Sequence, residues 1–143
     1  MADLDVVAAI DAVVVERAPD DAAALFEAAS ARDYAVLESD AEPLCRRAVE
    51  LGLDDATLPQ AVIQLASTLR NLGKVDESVG MLEQHLQQHP SDECTGPISA
   101  FLAPALISRG DEREGAFVAV AALAGYLPVY SGSVMGYARK LRA

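Results

Sequence analysis

The two histidines of this chain have the spacing of metal ligands. His85 and His89 lie four residues apart, which on a helix brings both imidazoles to one side. Glu93 and Cys94 follow closely and could complete a set of zinc ligands. The residues between the histidines are Leu-Gln-Gln, so the catalytic glutamate of a zinc-peptidase helix is missing. We therefore expect a partly buried His85, an exposed His89, no metal and no cofactor.

The hydroxyl and carboxyl groups form no catalytic pattern either. Ser67-Thr68 and Ser131-Gly-Ser133 do not follow a predicted strand, as a nucleophile elbow requires. The glycines do not form a phosphate loop with a lysine. The acidic side chains of the first third have no evident acid–base partner. We predict that the protein is not an enzyme. A small hydrolase or metal enzyme is the alternative, which bound zinc or iron would support.

Composition and charge favour a helical protein with an acidic surface. The chain has 143 residues, a length typical of one domain, and a formal net charge of −11, which disfavours binding to nucleic acid. Its longest apolar run, residues 116–124, is too short to span a bilayer, and the first residues are acidic, unlike a secretory signal. The basic segment 139–142 suits the end of a helix better than a membrane or RNA site. Cys45 and Cys94 have no metal or redox spacing, so we expect reduced thiols and a cytoplasmic location.

The sequence contains three copies of one pattern at a spacing of 37 residues. Ala29, Ala66 and Ala103 are in register at this spacing. Each copy also has one small residue in register further along, namely Ala41, Ser78 and Gly115. A fixed period in this range is the signature of stacked supersecondary units. It favours a binding surface over a catalytic pocket.

Helical periodicity and end signals divide the chain into three repeats between two outer helices. We predict a single domain over residues 1–143, with a lead-in helix over 4–17, repeats over 22–52, 57–90 and 96–127, and a capping helix over 131–142. The second helix of the first repeat and the first helix of the second are predicted to open at capping boxes, Ser39-x-x-Glu42 and Thr57-x-x-Gln60. Three glycines are predicted to end helices: Gly52, Gly73 and Gly110.

Three residues depart from this pattern. His85 replaces the small residue found as Ala48 and Ala122 in the other copies. Val36 stands where the first repeat should have its turn glycine, which predicts a distorted turn. Pro104 falls inside the first helix of the third repeat, where an interior proline costs about 3 kcal/mol or kinks the helix.

The second repeat resembles a tetratricopeptide repeat. Its first helix has a Leu–small pair, Leu65-Ala66, and the turn has Gly73. Its second helix has a small residue, an apolar residue and a final proline: Ser78, Leu82 and Pro90. The other copies supply Ala28-Ala29, Ala41, Ala48 and Val49, and Leu102-Ala103, Gly110, Gly115, Ala122 and Leu123. More narrowly, the chain is similar to a group of small stand-alone bacterial tetratricopeptide proteins, on residues 43–48 and 61–73.

This resemblance implies an all-α, right-handed superhelix of three helix-turn-helix repeats with a helix at each end. The family's usual period is 34, so we place the extra residues in the loops 52–56 and 91–96. The resemblance also implies a concave groove for an extended peptide, lined by a polar stripe on the first helix of each repeat. The predicted contacts are Phe26, Ser30, Tyr34, Gln60, Ile63, Gln64, Ser67, Arg70, Asn71 and Phe101.

Arg70 and Asn71 would hold a peptide carboxylate or backbone, and the aromatic residues would hold apolar side chains. The groove lacks the run of Lys and Arg of members that clamp a C-terminal carboxylate. The alternative is that these stripes are solvated helix faces.

We therefore expect a non-enzymatic adaptor that binds an unknown protein or peptide in its groove, and neither nucleic acid nor membrane. The alternative is a self-associating structural or regulatory protein, a homodimer through its terminal helices, with no peptide ligand.

Overall fold

The computed structural model describes residues 2–90 and 93–143. Within these ranges the chain forms eight α-helices and no strand, which confirms the all-α class. The helices are α1 (Ala2–Val14), α2 (Ala22–Tyr34), α3 (Glu38–Leu51), α4 (Leu58–Asn71), α5 (Val75–Gln88), α6 (Thr95–Arg109), α7 (Glu112–Ala124) and α8 (Ser131–Arg142). Part of the predicted loop 91–96, Ser91 and Asp92, lies outside the described residues.

The helix starts reproduce the period of the sequence. The second helices of the predicted repeats begin at Glu38, Val75 and Glu112, each 37 residues after the last. The lead-in helix ends at Val14 rather than at residue 17. Beyond it, the N–H groups of residues 16 and 17 donate to carbonyls only three residues earlier, those of residues 13 and 14, which is the tighter turn of a 3₁₀-helix. Helix α6 begins at Thr95, earlier than the predicted start of its repeat.

The chain forms two compact units, one ending at Leu72 and the other beginning at Gly73. In the first unit, α1 packs on α2, α2 on α3 and α3 on α4, and α2 also contacts α4. In the second unit, α5 packs on α6, α6 on α7 and α7 on α8. Each helix therefore contacts the next helix of its unit, as in helical repeat proteins. One domain over the full length stays a prediction.

Small residues let the helices pack closely. Ala29 and Ala66, two of the residues in register, are fully buried. At Gly115, a β-carbon would lie 2.6 Å from Cγ1 of Ile107 and 2.7 Å from the carbonyl oxygen of Ala103. Only a residue without a side chain lets α7 approach α6 this closely. The repeated small residues are thus packing positions.

The prediction of a distorted turn at Val36 is wrong. Val36 has a φ of 59°, and the glycines at the equivalent places, Gly73 and Gly110, have φ of 79° and 99°. All three residues therefore adopt the positive φ that favours glycine. The first turn keeps the geometry of the others although a β-branched residue occupies it.

Backbone hydrogen bonds explain why Val36 accepts this conformation. The N–H of Val36 donates to the carbonyl of Asp33 at 3.0 Å, and the next N–H, of Leu37, donates to Arg32 at 2.9 Å. The N–H groups of residues 110 and 111 donate to residues 107 and 106 in the same way, at 3.0 and 2.9 Å. This is the Schellman motif, which satisfies carbonyls at the end of a helix.

The two predicted capping boxes are wrong, although helices begin near both. Ser39 lies inside α3, whose N-cap is Leu37. Thr57 is the N-cap of α4, but its side chain makes no capping bond. Its N–H instead donates to the Asp54 carboxylate at 2.7 Å. In the second box, the Asp54 carboxylate therefore accepts the Thr57 N–H bond that the side chain of Gln60 would accept in a capping box.

Pro104 does not interrupt α6, which runs from Thr95 to Arg109. Proline cannot donate to the carbonyl four residues earlier, that of Ala100. Helix α6 therefore forgoes one backbone hydrogen bond at Ala100, an exposed residue, and continues past the proline.

Candidate functional site

The structure brings the first two rows of the predicted groove side by side. Ser30 of α2 lies with its Oγ 3.0 Å from Oε1 of Gln64 on α4. One turn further along, Oγ1 of Thr68 lies 3.1 Å from Oδ1 of Asp33. We call this surface the α2–α4 face. Its residues are Glu27, Ser30, Asp33, Tyr34, Glu38, Gln60, Ile63, Gln64, Ser67, Thr68, Arg70 and Asn71.

Two hydroxyl groups of this face, those of Ser30 and Thr68, each have two acceptors within hydrogen-bond distance. Ser30 Oγ also lies 2.9 Å from the carbonyl oxygen of Phe26, and Thr68 Oγ1 lies 3.0 Å from that of Gln64. A hydroxyl has one proton, so each of these groups serves one acceptor at a time. Among the residues described, no partner is found for the buried Nε2 of Gln64. The connection between α2 and α4 is therefore polar and incompletely satisfied.

The Asp33 carboxylate of the face lies in an unfavourable environment for negative charge. Desolvation by burial raises the pKa of Asp33, and the charge of Glu38 raises it further, against the hydrogen bond from Thr68. Nδ2 of Asn71 lies 3.4 Å from Oε1 of Glu38, a long hydrogen bond. Arg70 is half-buried and forms no ion pair within the described ranges.

The predicted contact residues differ in accessibility. Tyr34 is 69% exposed, and Gln60 and Asn71 are exposed too. Five others are half-buried: Ser30, Ile63, Gln64, Ser67 and Arg70. Phe26 is only 8% exposed and offers a ligand little surface, because α2 turns this ring inward with Ala29. Phe101 is exposed, but it lies on α6 in the second unit.

His89 is exposed as predicted, whereas His85 is buried and not partly buried. His85 is 6% exposed and His89 is exposed, and their rings stack with centroids 4.5 Å apart. In the described part of the chain, no group of three or more His, Cys, Asp or Glu residues could hold a metal ion.

Cys45 is a buried thiol of low reactivity. Its Sγ lies 3.6 Å from the carbonyl oxygen of Ala61. Burial, with the charge of Asp33, raises the pKa of Cys45 to about 12. The reactive form of cysteine is the thiolate, so this thiol is disfavoured as a nucleophile.

The second unit contains an apolar groove that the sequence pattern only partly predicts. It lies between α6 and α7, has a volume of about 470 Å³, and is walled by Ile107, Leu123 and Tyr126. Its floor consists of alanines and of Pro104. The stripe is predicted on the first helix of each repeat, here α6, so the sequence pattern does not predict the α7 side of this groove. The alanines at 119 and 122 were the available signal.

Consecutive α-helices that pack in order within each unit, with small residues at a 37-residue period, define a helical-repeat protein. The sequence model of the tetratrico peptide repeat family matches residues 22–141, from the start of α2 almost to the end of α8, and the chain belongs to this family. No curated protein and no solved structure gives a significant match. In the described residues, no helix has both the length and the apolar composition needed to cross a membrane.

Proposed function

We propose that the protein is a non-enzymatic adaptor that holds an extended segment of a partner protein against the α2–α4 face. Membership of the tetratrico peptide repeat family supports the general role, because such repeats are interaction modules. The observation that carries the proposed site is the pair of bonds from Ser30 to Gln64 and from Thr68 to Asp33. They align equivalent rows from consecutive repeats into one surface.

The exposed groups of this face suit a peptide backbone. Gln60 and Asn71 present side-chain amides, which can both donate to and accept from peptide groups. Arg70 adds a guanidinium for a carbonyl or a carboxylate. Tyr34 presents a ring whose apolar body and hydroxyl are typical of anchors in protein interfaces.

The charges of the face favour a partner segment with a basic side chain. Three carboxylates, those of Glu27, Asp33 and Glu38, stand against one cation, Arg70. Ionised Asp33 is disfavoured by burial and by Glu38. A lysine or arginine of the partner placed here would relieve that repulsion, so we expect binding to weaken as salt rises.

The test is affinity capture from an extract of the native cell, with the full chain as bait and mass spectrometry as readout. The matched baits are the double variant Arg70→Ala/Asn71→Ala and the single variant Tyr34→Ala. The control bait is Arg47→Ala, at an exposed residue of α3. We expect a partner that the wild type and the control retain and that both face variants lose. Each bait must first show an unchanged helical circular dichroism spectrum and thermal melt.

Equal capture by all baits would refute the α2–α4 face as the site. In that case a third variant, Ile107→Glu, asks whether the partner binds the apolar groove of the second unit.

A further inference from the structure

We infer that α8 of one copy of this chain docks into the groove between α1 and α2 of a second copy. This interaction needs no partner protein and shares a single residue, Glu27, with the α2–α4 face, so it is tested separately from the proposed adaptor role. It also differs from a twofold dimer, because the two surfaces that meet are different ones.

The docking groove is apolar and open. It lies between α1 and α2, has a volume of about 250 Å³, and is lined by Ile10, Val13 and Val14 with Ala23 and Ala24. Val13 is 62% exposed. Val6, seven residues earlier on the same side of α1, is also exposed and extends the apolar surface along the helix. The end units of a helical repeat array normally present polar outer faces, and this one does not.

The charge of the α1–α2 groove is negative. Helix α1 contains three carboxylates and no basic residue. Asp11 is engaged by the Arg32 guanidinium, with both bonds at 2.9 Å, whereas Asp5 is exposed. Glu27 of α2 lines the groove and is exposed. The one basic lining residue, Arg17, already pairs with Asp21 at 3.0 Å.

Helix α8 carries the complementary surface. It contains three basic residues and no carboxylate, in a chain whose net charge is −11. Tyr137 is 66% exposed, and Leu141, four residues on, is exposed on the same side. Lys140 lies beside them, with Nζ 5.4 Å from the centre of the Tyr137 ring. In the described chain Lys140 has no ion pair, so its charge is available to a neighbour.

The two surfaces match in chemistry, and this match selects a second copy as the occupant. Tyr137 and Leu141 supply apolar side chains that can fill the groove, as when an amphipathic helix lies in a hydrophobic groove. Lys140 then meets Glu27, which lines the groove. Because the contact joins unlike surfaces, a dimer keeps one free groove on one copy and one free α8 on the other, and association can continue beyond two copies.

The experiment is sedimentation velocity of the full chain over a wide concentration range, with one variant for each surface. Val13→Glu blocks the groove and leaves α8 intact, and Tyr137→Glu does the reverse. We expect the wild type to associate, each variant alone to weaken association roughly tenfold or more, and an equimolar mixture of the two to form a dimer that grows no further. Leu123→Glu, a similar change on α7, should leave association unchanged.

Charge is tested separately. Lys140→Glu should weaken association, Lys140→Arg should preserve it, and Glu27→Lys should restore it in the Lys140→Glu background. A wild type that stays monomeric throughout overturns the inference. So does self-association of either blocked variant at wild-type strength, which indicates a contact between like surfaces. Equal disruption by Leu123→Glu assigns the interface to the groove of the second unit instead.

Discussion

Val36 pays a conformational cost that its equivalents avoid. Its φ of 59° lies in the left-handed region, where a residue with a β-carbon is disfavoured by about 1–2 kcal/mol, and a branched one has further crowding. Its side chain is 72% exposed, so little burial compensates. We expect Val36→Gly to stabilise the protein by about 0.5–1 kcal/mol, since the greater freedom of glycine in the unfolded chain offsets part of the gain.

Chemical denaturation measures this change as a shift of the midpoint at constant slope. The reverse substitutions, Gly73→Val and Gly110→Val, should each destabilise the protein, because the φ angles there are also positive. A β-carbon at either position would have no atom within 4 Å, so no new contact would offset the strain. A Val36→Gly variant less stable than the wild type would contradict the assignment of strain to this turn.

Cys45 permits a second prediction at the scale of a residue. With a pKa of about 12, only about one thiol in ten thousand is ionised at pH 8. We expect the Cys94→Ser variant to react with a thiol reagent very slowly in its native state and at a normal rate once unfolded. The native rate should rise tenfold per pH unit up to the pKa. Rapid native labelling would show that the helices around Cys45 open readily.

At the scale of elements, the α2–α4 connection predicts coupling between two side chains. Ser30→Ala removes the hydrogen bond to Gln64 and leaves its partly buried amide without a partner, which we expect to cost about 1 kcal/mol. In a Gln64→Met background the same substitution should cost little, because no polar group remains to be satisfied. A double-mutant cycle by denaturation measures the difference. Equal costs in both backgrounds would mean that Ser30 bonds the carbonyl of Phe26 instead.

Elements were more predictable from this sequence than their ends. The 37-residue period predicts the three second helices, and they start at that spacing because local periodicity and packing select the same positions. The ends are harder to predict because several side chains compete to accept from the same N–H group. At Thr57 the acceptor is Asp54 and not the side chain of the capping box. Asp21 caps α2, since its carboxylate accepts from the N–H of Ala24 at 3.0 Å. Aspartate is a preferred N-cap residue, so this cap was predictable, but it was not predicted.

The candidate site divides in the same way. The stripes of α2 and α4 are predicted at equivalent positions of consecutive repeats, but the particular contact between Ser30 and Gln64 is not, because these residues are 34 apart and not one period of 37. The burial of Phe26 was not predictable, because the face of α2 that turns inward depends on α3 and α4 together. The groove between α6 and α7 was missed for a similar reason: it exists only where two helices meet.

At the scale of the whole molecule, charge acts in opposite directions on folding and on association. The net charge of −11 places more carboxylates near one another than the ion pairs can offset, and this repulsion destabilises the folded state. Salt screens it, so we expect the melting temperature of the dilute protein to rise with sodium chloride. The docking of α8 depends on attraction between Lys140 and Glu27, which the same salt weakens.

Two measurements on one salt series separate these effects. Thermal melts of the Val13→Glu variant, whose association is blocked, report on folding alone, and sedimentation of the wild type reports on association. If the melting temperature falls with salt, ion pairs such as that of Arg32 with Asp11 outweigh the repulsion among carboxylates. If association strengthens with salt while the melting temperature rises, copies are held by apolar contacts against their mutual repulsion, and Lys140 has no steering role.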